Sequence, residues 1–381
     1  DYNSFSNPSS KKNALLIECG QHWQNESAIL AIDSSWRFLW KTGVIEEEQA
    51  VQFQKNNKFP EKQRFIEVNS LHTIKTESFR FVKSFVGLEI IEKAGTTIGY
   101  DGDEVIIPQP YWVSYADMVK YSGGKPIMLS TNYEDNFSID IHKFESLITE
   151  RTKLFMINSP NNPSGKYYDT DMLKKLADVL KKHNNVFISS DDIYEHIHWG
   201  SEKFHNILNV CPELKSRTII LNGVSKAYSM TGWRIGYAAG NSEIIKKMKT
   251  LQSQSTSCAS SVSQAAACSA LSNTCEEMPV MNNEYKKRHD YVVSELNKIE
   301  GVNCRPTDGT FYVFPSFKKF IEMNSDISND SELALYILEK AKVAVVPGSA
   351  FGIEGHIRIS IAIDMNSLKD AMQRLQATLK L

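Results

Sequence analysis

The run Thr218-Ile219-Ile220-Leu221 leads into Asn222-Gly223-Val224-Ser225-Lys226-Ala227-Tyr228-Ser229-Met230-Thr231-Gly232-Trp233-Arg234-Ile235-Gly236-Tyr237. A β-branched run ending near a lysine, with an arginine eight residues later in a stretch rich in aromatics and glycine, reads as a strand end, a turn and a return. Such a turn holds one amine and one guanidinium at a fixed separation in a partly dry cleft. There a lysine loses its proton easily and condenses with carbonyls, while an arginine grips phosphate. Taken alone, the pair reads first as a solvated loop lysine and a surface strand arginine. The rest of the chain decides.

Upstream, Leu154-Phe155-Met156-Ile157 runs into Ser159-Pro160-Asn161-Asn162-Pro163-Ser164-Gly165. A strand meeting Asn-Pro-Ser-Gly must turn at once, which aims an asparagine amide at the strand-end crevice, although the tetrapeptide alone is only a turn signal. Val186-Phe187-Ile188-Ser189-Ser190 then runs into Asp191-Asp192-Ile193-Tyr194-Glu195, setting a carboxylate at the end of a buried strand and a phenol three residues on. A buried carboxylate needs a cationic or donor partner, and a protonated ring nitrogen would serve; helix capping is the competing use of a strand-end Asp. Arg358, within Ile357-Arg358-Ile359-Ser360-Ile361-Ala362, either reaches outward to water or meets a buried anion such as a carboxylate. Trp112, in Pro110-Tyr111-Trp112-Val113-Ser114-Tyr115, is either core or a flat face for an aromatic ring. His196 and His198 lack a third ligand at suitable spacing, so they read as satisfied or solvated histidines and no metal is expected.

The surrounding composition narrows the class. The chain has 381 residues, 41% hydrophobic and 23% charged, enough for one large α/β domain and a smaller companion. A net charge of −2 argues against nucleic acid or an acidic membrane surface as partner. Six cysteines without a C-x-x-C pair argue against a disulfide framework, no apolar run reaches membrane-spanning length, and a cytoplasmic protein is expected, with an organelle matrix as the alternative because the chain starts at Asp1.

Candidate strands are 104–107, 126–129, 153–157, 186–189, 217–221 and 234–238, with helical patterns near 113–121, 140–149 and 169–182 between them. Val/Ile/Phe runs without strict alternation fit a parallel sheet covered on both faces, with ligands at the carboxyl ends of strands. A long helix at 277–299 precedes strands at 310–314, 343–346 and 356–362 and helices at 331–341 and 368–379, which read as a smaller α+β domain. Ser253 to Ser263 reads as a helix start. Residues 1–94 stand apart, with only three glycines and two prolines but three of the six tryptophans. Helical spacing appears there in Ile29, Leu30, Ile32, Trp36, Leu39 and Trp40 and again in Phe81, Val82, Phe85, Leu88 and Ile91, with a short strand at Phe65 to Val68. The expected division is an atypical segment 1–94, a large domain 95–290 and a small domain 291–381.

Taken in order, PYWVSY, SPNNPSG, SDDIYE, NGVSKAYSMTGWRIGY, VAVVPGSAFG and RISIA resemble the class I and II aminotransferases, pyridoxal-phosphate enzymes of fold type I, and within them the bacterial-type aspartate aminotransferase branch. The resemblance covers about residues 101–381. It implies an α/β fold with a mostly parallel, seven-stranded sheet covered by helices, and pyridoxal 5'-phosphate as cofactor. Lys226 would condense with the cofactor aldehyde and later shuttle the proton, Asp191 would pair with the ring nitrogen, and Tyr194 and Asn162 would donate to the ring oxygen. Trp112 would stack on the ring, Arg234 and Ser257 would bind the phosphate, and Arg358, with Asn162 and Trp112 beside it, would hold the substrate. The implied activity is amino transfer between an amino acid, aspartate first, and a 2-oxo acid, 2-oxoglutarate first, by a homodimer. An aromatic- or prephenate-specific transferase, a lyase using the same cofactor, and a catalytically impaired binding subunit are the rival readings.

The resemblance fails in two places. Residues 1–94 lack the family's Gly-x-Pro-Asp-Phe turn, its tyrosine reaching the partner subunit's phosphate, and its Gly-rich phosphate turn; Thr76 and Ser78 are the replacements for the last, without a glycine to let the backbone approach an anion. Family members usually carry Asn-Pro where this chain has Cys258-Ala259, so the residue that would select a second carboxylate is not identifiable.

Overall fold

The computed structural model describes residues 25–53, 79–82, 84, 99–100, 102–200, 202–273 and 275–380. They belong to two compact units, residues 1–72 and 73–381. In the first, a helix spans Asn25–Lys41, as the apolar spacing expects, and a short helix spans Glu47–Val51 behind a capping box between Glu46 and Gln49. Trp36 stacks on Phe53 with ring centroids 4.2 Å apart. The expected strand at 65–68 lies outside the described residues, as do Thr76 and Ser78.

In the second unit, Arg80–Phe81 (β1) pairs antiparallel with Gly99–Tyr100 (β2). This corrects the helix expected from Phe81 and Val82 onward. Ladder bonds to β2 claim the backbone, and both side chains are exposed, so no core face draws them into a helical stripe. Phe85, Leu88 and Ile91 lie outside the described residues.

The main sheet follows from buried β-branched and aromatic runs: Glu104–Pro108 (β3), Lys125–Leu129 (β4), Thr152–Asn158 (β5), Phe187–Asp191 (β6), Thr218–Gly223 (β7) and Gly236–Ala239 (β8). Their order is β4-β3-β5-β6-β7-β8; all neighbours pair in parallel except β7 with β8. Seven strands were expected and six lie among the described residues. All five residues of β3 are buried, which requires cover on both faces. One cover is the helix Thr170–Lys182, whose Leu173, Leu176, Ala177 and Leu180 repeat at helical spacing and are buried with Phe144, Phe155 and Ile188. Each such side chain contributes about 1.5–3 kcal/mol. Asp169 caps this helix by accepting from the Met172 N–H at 2.8 Å, so Asp169→Ala removes about 1 kcal/mol. The Arg217 guanidinium donates to the carbonyls of Leu180 and His183 at 2.6 and 3.2 Å, and to that of Val186, tying the helix end to β6.

The later elements make a second core. Tyr312–Val313 (β9), Val346–Pro347 (β10) and Ile357–Ser360 (β11) form an antiparallel sheet in the order β10-β11-β9. The helices Glu277–Leu296 and Met365–Thr378 bury Val292, Leu296, Leu368, Met372 and Leu375 in the same cluster as Val313, Ile357 and Ile359. The strand expected at 343–346 begins only at Val346, because Lys342 turns left-handed (φ 56°) after the helical stretch and the chain rejoins the ladder later. Ser253 to Ser263 ends one helix, Ser242–Ser255, and starts another, Ser261–Ser272.

Candidate active site

Register sets the site. In the parallel ladder Asn158 on β5 pairs with Asp191 on β6, and Asp191 with Leu221 on β7, so these residues end their strands side by side. β3 has β4 on one side and β5 on the other, which makes its carboxyl end a point where the winding reverses, the place where α/β sheets open a crevice. A cavity of about 410 Å³ lies here. Its lining includes Trp112, Tyr115, Asn158, Asn162, Asp191, Tyr194, Asn222, Lys226, Tyr312 and Arg358.

Six residues singled out from the sequence meet in this cavity: Lys226, Asp191, Tyr194, Asn162, Trp112 and Arg358. Asp191 is held by backbone and side chain together. The Asn158 amide donates to its carbonyl at 2.9 Å, the Ile193 N–H donates to its carboxylate at 3.3 Å, and the Tyr115 hydroxyl makes a short hydrogen bond to the other carboxylate oxygen. Burial pushes the Asp191 carboxyl above its ordinary range, while the Tyr115 hydroxyl, the Ile193 N–H and the charge of Lys226 pull it back. Tyr115 is itself raised well above the usual phenol value, first by burial and then by the Asp191 charge.

The Asn161-to-Lys166 turn places Asn162. The Asn161 carboxamide oxygen accepts from the N–H and hydroxyl of Ser164 at 3.1 and 2.7 Å, and Gly165 closes the turn at φ +69°, where a Cβ would come within 2.6 Å of Thr307 Oγ1. Asn162 donates its N–H to Asn158 Oδ1 at 2.8 Å and accepts Arg358 Nη1 at 3.0 Å. Alternation along β11 buries Ile357 and Ile359 in the core and turns Arg358 to the cavity. Its Nε is buried with no hydrogen-bond partner, and among the described residues no carboxylate pairs with it. A half-buried guanidinium with an unpartnered Nε can offer its fork to a carboxylate.

Lys226 sits half-buried in the turn after β7, its Nζ 5.7 Å from the centre of the Phe311 ring. β7 and β8 approach closely at Gly223 and Gly236, where a Cβ on Gly223 would lie 3.2 Å from Gly236 Cα. Trp112, which taken in isolation reads as core, is instead 39% exposed, lines the cavity and meets Tyr115 edge-on at 5.5 Å.

Arg234 and Ser257 are not among the lining residues. Arg234 was expected to open a strand, but it ends the short Thr231–Trp233 helix in a left-handed turn (φ 49°), donates to the Thr231 carbonyl at 2.9 Å, and is exposed. The strand starts two residues later, at Gly236. Ser257 is also exposed and left-handed, at φ 65°. His198 packs on Tyr167 with ring centroids 4.2 Å apart, and no cluster of three or more metal-ligating side chains occurs among the described residues. Tyr115 and Tyr312 escaped the sequence reading. Tyr115 lies three residues after Trp112 in the same motif, a spacing that sets it one turn further along the helix start, and that was the available signal.

The residues present suit pyridoxal 5'-phosphate at two of its groups and its substrate at a third point. Lys226 offers an amine for the aldehyde, Asp191 a buried carboxylate for the ring nitrogen, and Arg358 an orphaned buried N–H for a substrate carboxylate.

Comparison with known proteins agrees. The family described as Aminotransferase class I and II matches residues 82–375. An aspartate/prephenate aminotransferase of Nitrosomonas europaea is 47% identical over 283 residues, covering 73% of this chain and 71% of that one. The crystal structure of the aspartate aminotransferase from Rhizobium meliloti aligns with a TM-score of 0.70 at 44% identity, covering 73% of this chain and 70% of that one. An aromatic aminotransferase from Pyrococcus horikoshii aligns with a TM-score of 0.68 at 35% identity, covering 74% and 73%.

Proposed function

The chain belongs to the class I and II aminotransferases, enzymes that use pyridoxal 5'-phosphate, and from that premise we propose that it moves the amino group of L-aspartate to 2-oxoglutarate in two half-reactions of a ping-pong cycle. One observation carries the reading. An amine, a carboxylate and a guanidinium, from β7, β6 and β11, converge in a single cavity although 132 residues separate Lys226 from Arg358.

When bound, the cofactor supplies an electron sink for negative charge that develops at the substrate α carbon. The side chains do the rest. Lys226 Nζ anchors the aldehyde and then carries the proton from the α carbon. Asp191 would accept the ring N–H, its carboxylate oriented by the Tyr115 hydroxyl and the Ile193 N–H. Tyr194 and Asn162 donate to the ring oxygen, and Trp112 offers a flat face. Arg358 clamps the α-carboxylate while its bond to Asn162 keeps the fork aimed inward. Arg234 and Ser257 are assigned to the phosphate. Residues 95–290 serve as the cofactor-holding domain, and 291–381 as the smaller one that brings Arg358. The enzyme works as a homodimer; exposed Leu251 and Val262, on the helices Ser242–Ser255 and Ser261–Ser272, suit a face covered by a second copy.

Prephenate is the second reading for the acceptor, favoured by the Nitrosomonas relative named for it and by the four aromatic rings lining the cavity. To test the reading, the full chain is saturated with pyridoxal 5'-phosphate and its visible band recorded. Aspartate should bleach the band and 2-oxoglutarate restore it. A band indifferent to amino acids overturns the proposal in favour of a binding role, and release of ammonia and pyruvate from an amino acid with a β leaving group, such as serine, overturns it in favour of a lyase.

A further inference from the structure

Tyr312 lies between two parts of the site without belonging to either. It is a β9 residue, 8% exposed, and its ring faces the cavity. The guanidinium carbon of Arg358 sits 4.3 Å from the Tyr312 ring centre and 4.8 Å from that of Phe351, so two aromatic rings flank a half-buried cation that has no carboxylate partner among the described residues. In a desolvated setting a ring face stabilises such a cation and also restrains its planar fork. At its other end the Tyr312 hydroxyl accepts from the Tyr194 hydroxyl at 3.4 Å, long for a hydroxyl pair, while the rings meet edge-on at 6.1 Å. Tyr194 has only one proton to give. If that proton goes to a ligand, the Tyr194 oxygen is left to accept, and Tyr312 carries the adjacent hydroxyl that can donate.

We propose that Tyr312 is a positioning residue with two separable tasks: its ring holds Arg358 ready for a carboxylate, and its hydroxyl supports Tyr194 as a donor to the cofactor. The proposal rests on reading Lys226 and Arg358 as cofactor amine and carboxylate clamp. Donation into Tyr194 makes its own O–H a better donor, because hydrogen bonds in a chain polarise one another. The titratable and charged groups around Tyr194 are Tyr312 from β9, Arg358 from β11, Asp191 from β6, and Tyr115 and Lys226 across the cavity. Only the first is altered in the test.

The cofactor-loaded protein and its Tyr312→Phe and Tyr312→Leu variants are compared by two measurements other than turnover: the dissociation constant of maleate, a dicarboxylate that does not react, and the pH midpoint of the cofactor band. Tyr312→Phe should bind maleate within about twofold of the parent, because the ring remains, while its band midpoint rises by about half a pH unit, the size of one lost hydrogen bond. Tyr312→Leu should raise the midpoint equally and weaken maleate about tenfold, the loss of a desolvated cation–ring contact. Should the leucine variant not fold, Tyr312→Met takes its place. Equal loss of maleate binding in the Phe and Leu variants, an unmoved midpoint in Phe, or full maleate affinity in Leu overturns the proposal. A parent that forms no cofactor band, or ignores maleate, overturns the functional reading instead.

Discussion

In the strand-end crevice, Asp191, Tyr115, Asn162 and Arg358 are held by hydrogen bonds that cross between elements far apart in sequence. Outside β8, residues 228–235 and 242–260 are held differently. Among the described residues the Arg234 guanidinium bonds to the carbonyl of Thr231, Ser257 stands in a left-handed turn, and the helix Ser242–Ser255 has no buried residue. The crevice is organised by the sheet register and packed before any ligand arrives, so its geometry belongs to the fold. The second region is organised locally.

Substitutions can break this contrast, starting where the effect is largest. Lys226→Ala removes both anchor and proton carrier, and transamination should fall by at least about 10⁴-fold in a steady-state assay. Asp191→Asn keeps the shape of the crevice but removes the charge facing the ring nitrogen; kcat should fall by about 10³-fold while the cofactor still binds. Arg358→Lys keeps the charge and loses the fork, so kcat/KM for aspartate should fall by about 10²-fold, mostly through KM. Arg234→Gln sharpens the comparison. If the exposed guanidinium turns to the phosphate when the cofactor enters, cofactor retention should weaken by about tenfold on dialysis. No change would place the phosphate on other groups.

Most of the crevice was legible in the sequence because strand ends are. Asp191, Asn162 and Lys226 each follow an apolar run at a turn, and chain order alone makes such residues neighbours in a parallel sheet. Tyr115 and Tyr312 were not legible as site residues. Their partners lie 76 and 118 residues away, and a tyrosine in an aromatic-rich run has no spacing that separates packing from hydrogen bonding. Arg234 was misread as a strand residue because its neighbours Ile235 and Tyr237 suit a strand, while the backbone turns left-handed one residue earlier. Trp112 could not be settled either way, since ring face and core share the same composition.

A separate effect, on stability rather than turnover, concerns the surroundings of the crevice. Asp192, next to Asp191, accepts from Ser190 Oγ and the Asn206 amide at 2.6 and 2.7 Å, yet burial raises its carboxyl to about 7. The folded state therefore holds this proton more tightly than the unfolded chain. Stability from this group is fully present below the ordinary Asp range near 4, falls as pH rises toward about 7, and is flat above, at about 1.4 kcal/mol per unit. His356 opposes it at the acid end. Buried between Tyr133 and Phe314, it is lowered to about 4, so its contribution is lost as pH falls from 6.5. Comparing the parent with Asp192→Asn isolates the aspartate: in urea unfolding, the stability of the parent relative to the variant should fall by about 1.4 kcal/mol per unit from pH 5 to about 7 and stay level above. Parallel curves would show that Asp192 stays ionised throughout.

The claim that the crevice is ready for its cofactor is tested most directly by chemical trapping. The folded full chain is loaded with pyridoxal 5'-phosphate, reduced with borohydride to fix the cofactor to whichever amine has condensed with its aldehyde, digested and mapped by mass. The label should fall on the peptide containing Lys226 and disappear in Lys226→Ala. Label spread over surface lysines, or Lys226 left unmodified in folded and saturated protein, would contradict it.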